Sequence, residues 1–220
     1  MSQSFYDRYW TGETDKKGTL NNPPVFNQEQ FEELFNLVKK YLGKNILDVG
    51  AGDGSMTFHL SEKLRKDGHQ HQIMASEISP EAIKSGKKKF PNLKFHRDDL
   101  GNLSFPNNEF DTLLAIEVIE HILDVRQMFL EFNRVLKKKG YLIVTTTDFN
   151  FPKQMIIASL FWNKFFYPTN PHIRFFNKKT LTSVLNDYGF KLINHWWNGS
   201  YFGLMPKGQI AIFQKIKTMK

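Results

Sequence analysis

Two stretches of this chain hold side chains whose types and spacing suit chemistry. The first, residues 45–60, reads NILDVGAGDGSMTFHL, with Asp48 just ahead of Gly50 and further glycines at 52 and 54. Alternate glycines let the backbone take positive φ and approach a ligand closely, and the free N–H groups of a helix starting at Ser55 would face whatever sits in the turn. A polar ligand is expected there. The spacing Gly-x-Gly-x-Gly departs from the Gly-x-Gly-x-x-Gly of dinucleotide binders. A carboxylate at the mouth of the turn disfavours a pyrophosphate and suits a ligand carrying positive charge or hydroxyl donors. The second stretch is EVIEH at 117–121. Its imidazole, His121, is a candidate general base worth some 10² to 10⁴-fold in rate, its alternative role being an N-cap or packing histidine. Glu117, Glu120 and His121, with His172 as a fourth ligand, are also a donor set for Mg²⁺ or another divalent ion. A metal is not the favoured reading.

These residues need elements to hold them. An apolar run at 46–49 predicts a strand ending at the glycines, and the amphipathic segment from Ser55 to about 66 predicts a helix. A second strand is predicted at 72–77, ending on Glu77, and Ser79-Pro80-Glu81 is a cap with proline at the first helical position. A third strand, 93–96, leads into Asp98 and Asp99. Glu77 is then placed to accept from ribose hydroxyls, and one of the two aspartates from an exocyclic amine. Asn107-Asn108 predicts a turn, 111–116 a fourth strand, and the segment from His121 to Leu136 a helix stopped by Lys137-Lys138-Lys139-Gly140, with a fifth strand at 141–147. Continuous apolar strands alternating with helices imply an α/β fold, a parallel sheet covered on both faces that binds ligands at the carboxyl ends of its strands.

The flanks are less regular. Residues 1–26 read as an N-terminal arm whose Phe5, Tyr6, Tyr9 and Trp10 pack over the core or the ligand cleft. Asn27 is the N-cap of a first helix carrying Phe31, Leu34, Phe35, Val38 and Leu42 at helical spacing, with Gly43 as its stop. Residues 148–176 crowd aromatics with Pro152, Pro168 and Pro171 and read as an inserted lid; Lys153, Lys164 and Arg174 near Trp162 and Phe165 suit an anionic membrane surface. The alternative is a helix that only completes the core. A helix at 178–188, a strand at 190–196, a turn through Asn198 and Gly199, and a last strand at 209–215 close the chain.

At 220 residues the chain fits one domain without disulfide or metal staples, and it has no cysteine. No apolar run is long enough to span a bilayer, and the start MSQSFYDRYW lacks the features of a secretory signal, so a cytoplasmic protein is expected, with peripheral membrane contact left open to the lid. Thirty Lys and Arg against 22 Asp and Glu leave a net charge of +8. Such a charge favours anionic partners, but the runs Lys87–Lys89 and Lys137–Lys139 are expected at helix ends, where cations complement the dipole, and no basic stripe interleaved with aromatics marks a nucleic-acid footprint.

Asp48 with the three glycines, Glu77 in ASEISPEAI, Asp99 in RDDLGNLSF, the strand FDTLLAIE and the segment RVLKKKGYLIVTT together resemble, in order and spacing, the class I S-adenosylmethionine-dependent methyltransferases over about residues 27–148. Through EVIEH, and HIRFF followed by TLTSVLNDYGF, the chain is most similar to small-molecule O-methyltransferases of the ubiquinone-biosynthesis type. The resemblance implies a Rossmann-like seven-stranded sheet, mostly parallel, with an antiparallel last strand, in one methyltransferase domain over 1–220. It implies S-adenosylmethionine as cofactor, with Gly50 and Gly52 on the methionine moiety, Glu77 on the ribose, Asp99 on the adenine amine, Ile78 and Leu100 flanking the adenine, and Asp48, Gly54 and Ile116 completing the donor site. The E-x-x-E-H string also resembles metal-binding versions in ubiquinone-type and small-RNA 2′-O-methyltransferases. The expected function is methyl transfer to a small hydrophobic or aromatic acceptor, oxygen favoured. A nucleic-acid methyltransferase and a non-catalytic nucleotide-binding domain are the alternatives.

Overall fold

A computed structural model of the chain describes residues 7, 8, 10, 11, 26–166, 172–201 and 205–219. Phe5, Tyr6, Tyr9, Pro168 and Pro171, named above in the arm and the lid, lie outside the described residues.

Helix α1 (Gln28–Val38) begins where Asn27 accepts from the Gln30 amide, and a 3-10 turn (Lys39–Tyr41) carries it to Gly43. Then follow β1 (Asn45–Val49), α2 (Ser55–Lys66), β2 (Gln72–Glu77), α3 (Pro80–Lys89), β3 (Phe95–Arg97), β4 (Phe110–Ile116), α4 (Val125–Val135) and β5 (Leu136–Thr147). The lid contributes α5 (Phe151–Leu160) and the short α6 (Trp162–Phe165), and α7 (Lys178–Asp187), β6 (Phe190–Tyr201) and β7 (Met205–Lys215) complete the chain. The seven strands form one sheet in the order β3-β2-β1-β4-β5-β7-β6. Strands β3 to β5 pair in parallel through β1, whereas β7 runs antiparallel between β5 and β6, so the last strand alone opposes the other six.

The strand pleat sorts the core. Ile46, Ile143 and Ile212 point to the face covered by Phe31 and Phe35 of α1 and Leu60 and Leu64 of α2. Their neighbours Leu47, Leu142, Val144, Ala211 and Phe213 point to the other face, against Phe129 and Phe132 of α4 and Leu181 and Leu185 of α7. Both faces are dry, which is why the central strands are apolar at nearly every position.

Three boundary expectations are corrected. The helix before β5 starts at Val125, capped by Asp124, and ends at Val135. Lys137–Lys139 therefore do not cap it: they belong to β5, which pairs Leu136 with Phe110 across a register shift. Lys87–Lys89 do sit in the last turn of α3, as expected. Asn198 and Gly199 form no turn, because β6 continues through them, pairing Asn198 with Gly208. Tertiary pairing overrides a local turn signal where a neighbouring strand offers hydrogen bonds.

Candidate donor and acceptor cleft

The sheet brings the chemistry-bearing residues to one end. Register pairs Val49 with Ser76 and Glu77 with Arg97, so Gly50, Glu77 and Asp98 leave their strands at one level. Gly50, Gly52 and Gly54 take φ of 66°, 58° and 74°. The turn is fastened by Ala51 N donating to Ser76 O at 3.0 Å and Gly54 N to Ala51 O at 2.9 Å. Gly54 is the left-handed N-cap of α2. The three glycines serve different neighbours. A Cβ on Gly50 would meet Val118 at 2.8 Å, one on Gly52 would meet the Trp10 ring at 2.5 Å, and one on Gly54 would meet Leu93 at 2.5 Å and Phe95 at 2.7 Å. Gly54 thus lets α2 pack against the β3 edge, while Gly52 faces the cleft.

Asp48 is not at the open mouth of the turn. It is 2% exposed and accepts from Thr57 Oγ1 at 2.6 Å, tying β1 to the first turn of α2. Burial pushes its pKa up to about 7, opposed by the Thr57 hydrogen bond and helped by the charge of Glu77. Glu77, 6% exposed, is likewise no surface acid. Its carboxylate accepts from the amides of Gly52, Ile78 and Ser79, each at 2.9 Å. It is therefore aimed by the backbone of the turn it serves, and burial raises its pKa despite those donors.

The aspartate pair divides its roles. Asp98 is buried and accepts from Ser104 N at 3.1 Å and Ser76 Oγ at 3.4 Å, which makes it a brace. Asp99 is exposed and accepts from Gly101 N at 2.8 Å. Behind it, Arg134 donates to Leu103 O, Phe105 O and Asn107 Oδ1 and pairs with Glu131, which accepts from Leu103 N. That network fixes the loop after β3. Ile78 is half-buried beside Glu77, whereas Leu100 and Ile116 spend their side chains largely on the two cores.

Next to this pocket, β4 ends in a sharp bend. Glu117 has φ 53°, its amide donates to Thr145 O at 3.0 Å, and Thr145 Oγ1 donates back to its carboxylate at 2.9 Å. His121 does not start a helix: it closes a 3-10 turn (Ile119–His121), four residues ahead of α4. Its ring lies 4.8 Å from that of His172, centroid to centroid. Ile173 N and Arg174 N both donate to Glu120 O, and Arg174 caps the carbonyls of Ile122 and Leu123, so the segment after the lid is stitched to EVIEH. Glu120 is 1% exposed, and its carboxylate lies beside Glu117 and the Thr146 hydroxyl without a hydrogen bond of good geometry to either. Burial first, then the charge of Glu117, holds the Glu120 carboxyl well above the usual range, and burial also raises Glu117. His172 is pushed down by burial and by the nearby Lys153, so its imidazole is neutral at pH 7 and able to accept a proton. Ligand atoms of Glu120, His121 and His172 lie within 4.8 Å of one another.

The arm and the lid border the cleft. Ser79 Oγ donates to Asp7 Oδ1 at 2.7 Å and Trp10 lies against Gly52, so these two residues of the arm sit over the glycine turn. In the lid, Phe149, Phe166 and Phe175 cluster with ring centroids 4.7 to 6.4 Å apart. Helix α5 does not complete the core: it buries Lys153 and Ile157 and leaves Phe151 70%, Leu160 73% and, just beyond it, Trp162 57% exposed. Lys153 and Arg174 are not surface cations for a membrane. Lys153 Nζ donates to Asp148 O at 2.8 Å and Lys207 O at 3.2 Å, pinning the lid to the sheet, and Arg174 is spent on the carbonyls after EVIEH. The Lys164 side chain lies outside the described atoms. Asp7, Thr57, Ser79, Lys153 and Thr145 are the site residues that sequence reasoning missed. Ser79 carried a signal as a helix cap and Lys153 as a lid cation, though not for these contacts; Asp7 and Thr145 touch residues distant in sequence, and Thr57 reaches back nine positions across the turn.

A family model described as a methyltransferase domain matches residues 26–195, and the chain belongs to that family. Its class is S-adenosylmethionine-dependent methyltransferase, with S-adenosylmethionine as the methyl donor. Among its relatives, the ubiquinone/menaquinone biosynthesis C-methyltransferase UbiE of Rickettsia bellii is 30% identical over 149 residues, 64% of this chain and 60% of that protein. The protein of the same name from Rickettsia akari is 34% identical over the same length and shares. The match thus spans about 60% of the length of these relatives. A SAM-dependent methyltransferase structure from Methanosarcina mazei superposes with a TM-score of 0.65 at 20% identity, over 82% of this chain and 97% of that one, a likeness of fold.

Proposed function

We propose that the cleft transfers the methyl group of S-adenosylmethionine to a small, largely apolar acceptor whose nucleophile is a hydroxyl oxygen. The donor half is supported by Glu77, Asp99 and the glycine turn following their strands at the same end of the sheet, the residues that the resemblance assigns to ribose, adenine and methionine. The sulfonium carbon is already electrophilic, so alignment at near-attack distance does most of the work. The observation that carries the acceptor half is the facing pair His121 and His172, the latter neutral at pH 7 through burial. One imidazole of this pair takes the hydroxyl proton as the methyl group arrives. Carbon methylation, which the names of the Rickettsia relatives carry, is the second outcome, and on a phenolic ring it requires the same deprotonation. The apolar face of α5 supports an apolar acceptor and a peripheral seat on a membrane from which such an acceptor is drawn. The test is transfer of an isotope-labelled methyl group to a panel of catechols and hydroquinols, with NMR to place it on oxygen or carbon. Replacing His121 by Ala lowers kcat by roughly 10² to 10⁴-fold if it is the base. Unchanged kcat in both His121→Ala and His172→Ala refutes this mechanism.

One observation favours a second reading of the acceptor half. Glu120 buries two carboxylate oxygens without hydrogen bonds beside two imidazoles, and a divalent cation held there would satisfy them and fix an acceptor hydroxyl. Calorimetry with Mn²⁺ or Mg²⁺, on the parent protein and on Glu120→Gln, decides this: equal heats, or none, remove the metal.

A further inference from the structure

The lysine run that proves not to cap a helix lines a hollow at the opposite end of the sheet from the donor cleft. The amino ends of β1, β4 and β5 surround a cavity of about 370 Å³, within the range of small-molecule sites. Lys40 reaches it from the 3-10 turn, Lys44 from the approach to β1, and Lys137, Lys138 and Lys139 from the start of β5. Its single acid, Asp111, is already engaged. Oδ1 accepts from Lys137 Nζ at 2.8 Å and Oδ2 from the Asn45 amide at 2.8 Å, and those partners hold its carboxyl below the ordinary range against the cost of burial.

Lys40, Lys44, Lys138 and Lys139 are exposed, and among the described residues none of the four makes an ion pair. Asp111 pairs with Lys137, leaving four positive charges from two chain segments, 40–44 and 138–139, around one hollow. Like charges so gathered repel; Lys40 lies in the last turn of the 3-10 extension of α1, where the helix dipole favours it, whereas Lys138 and Lys139, within β5, have no helix terminus beside them. The chain also holds Lys139 at φ 66°, a conformation uncommon for a residue with a side chain, in the stretch of β5 between Leu136 and Tyr141 where the pairing with β4 shifts register. Tyr41 and Tyr141, with ring centroids 5.1 Å apart, wall the cavity with aromatic surface.

We propose that this hollow is a binding site for a small polyphosphate anion, either inorganic or the phosphate chain of a nucleotide. Flexible ammonium groups act as point charges toward phosphate, and three or four negative charges on one ligand match the uncompensated lysines. The site is separate from the donor cleft by the length of the strands, so its occupant is neither donor nor acceptor.

Calorimetric titration of the full chain at low salt with inorganic tripolyphosphate, ATP and a single-stranded RNA oligonucleotide tests the proposal. Tripolyphosphate binds with one-to-one stoichiometry and weakens as NaCl is added. The variant K40Q/K44Q/K138Q/K139Q loses about 30-fold in affinity, the summed effect of four partly screened surface charges. Its affinity for S-adenosylhomocysteine is unchanged, which also reports that it is folded. A control variant, K66Q/K84Q/K87Q/K88Q, removes the same charge from exposed positions elsewhere and keeps its affinity for tripolyphosphate. ATP tighter than tripolyphosphate identifies the nucleotide source through the tyrosine wall, and equal affinities the inorganic one. The proposal is overturned by undetectable binding at millimolar ligand, by equal losses in the two variants, or by RNA binding more tightly than both small anions.

Discussion

Asp48 makes the apo protein lose stability across neutral pH. Its carboxyl is 2% exposed and its pKa rises from 3.8 to about 7, chiefly through burial. Because the folded pKa lies above the unfolded one, the protonated form is favoured by folding. The stabilisation is fully present below about pH 4 and is lost as pH rises through about 7. At 1.36 kcal/mol per pH unit the displacement amounts to about 4 kcal/mol, an upper figure since water admitted on ionisation reduces it. Asp48→Asn keeps an acceptor for the Thr57 hydroxyl and removes the ionisation. Chemical denaturation of parent and variant from pH 4 to 8.5 should give similar stabilities at the acid end and a gap opening toward 4 kcal/mol above pH 7 in favour of the variant. Other raised carboxyls, such as Glu77, act on both proteins alike and cancel in the difference. Binding of S-adenosylmethionine, which brings an ammonium and a sulfonium, lowers the Asp48 pKa, so about half a proton should leave on binding at pH 7. That release is read from binding enthalpies in two buffers of different ionisation heat. Parallel pH–stability curves together with buffer-independent enthalpies in the parent protein would show that the buried acid is not the titrating group and refute the reasoning.

Two further outcomes concern the same turn. Glu77→Gln sets an amide N–H₂ against one of three backbone donors and weakens the hold on ribose, so S-adenosylhomocysteine affinity should fall roughly 100-fold and stability by about 1–3 kcal/mol; an affinity within threefold of the parent, measured by calorimetry, contradicts its place in the donor site. Gly54→Ala forces a side chain to φ 74° and against Leu93 and Phe95, so the denaturation midpoint should drop by the equivalent of about 1–3 kcal/mol, while an unaffected midpoint denies the packing role assigned to this glycine.

The lid's apolar face and the arm share a physical logic with the cleft they border. Lys153 is anchored to two backbone carbonyls beneath α5, so the lid's root is rigid while Phe151, Leu160 and Trp162 stay outside. Over the turn, the described residues Trp10 and Asp7 contact Gly52 and Ser79 directly.

The sequence alone determined the frame. Apolar runs ending in Asp48-Val49-Gly50, Glu77 and Asp98-Asp99 were legible as parallel strands, and Ser55–Lys66 as the helix after the turn, because hydrophobic period and glycine spacing are local properties. Strand level put Glu77 beside the glycines without any coordinates. Tertiary structure decided the rest, through contacts between residues far apart in the chain. Only packing shows that Asp48 points under the turn to Thr57, that Asp98 is a buried brace while Asp99 stays exposed, and that His121 closes a 3-10 turn against His172, fifty-one positions away. The lysine run shows the limit best: a helix stop by local rules, it becomes part of β5 because Leu136 pairs with Phe110, and its charges then meet Lys40 and Lys44 across a hollow that no one-dimensional pattern contains.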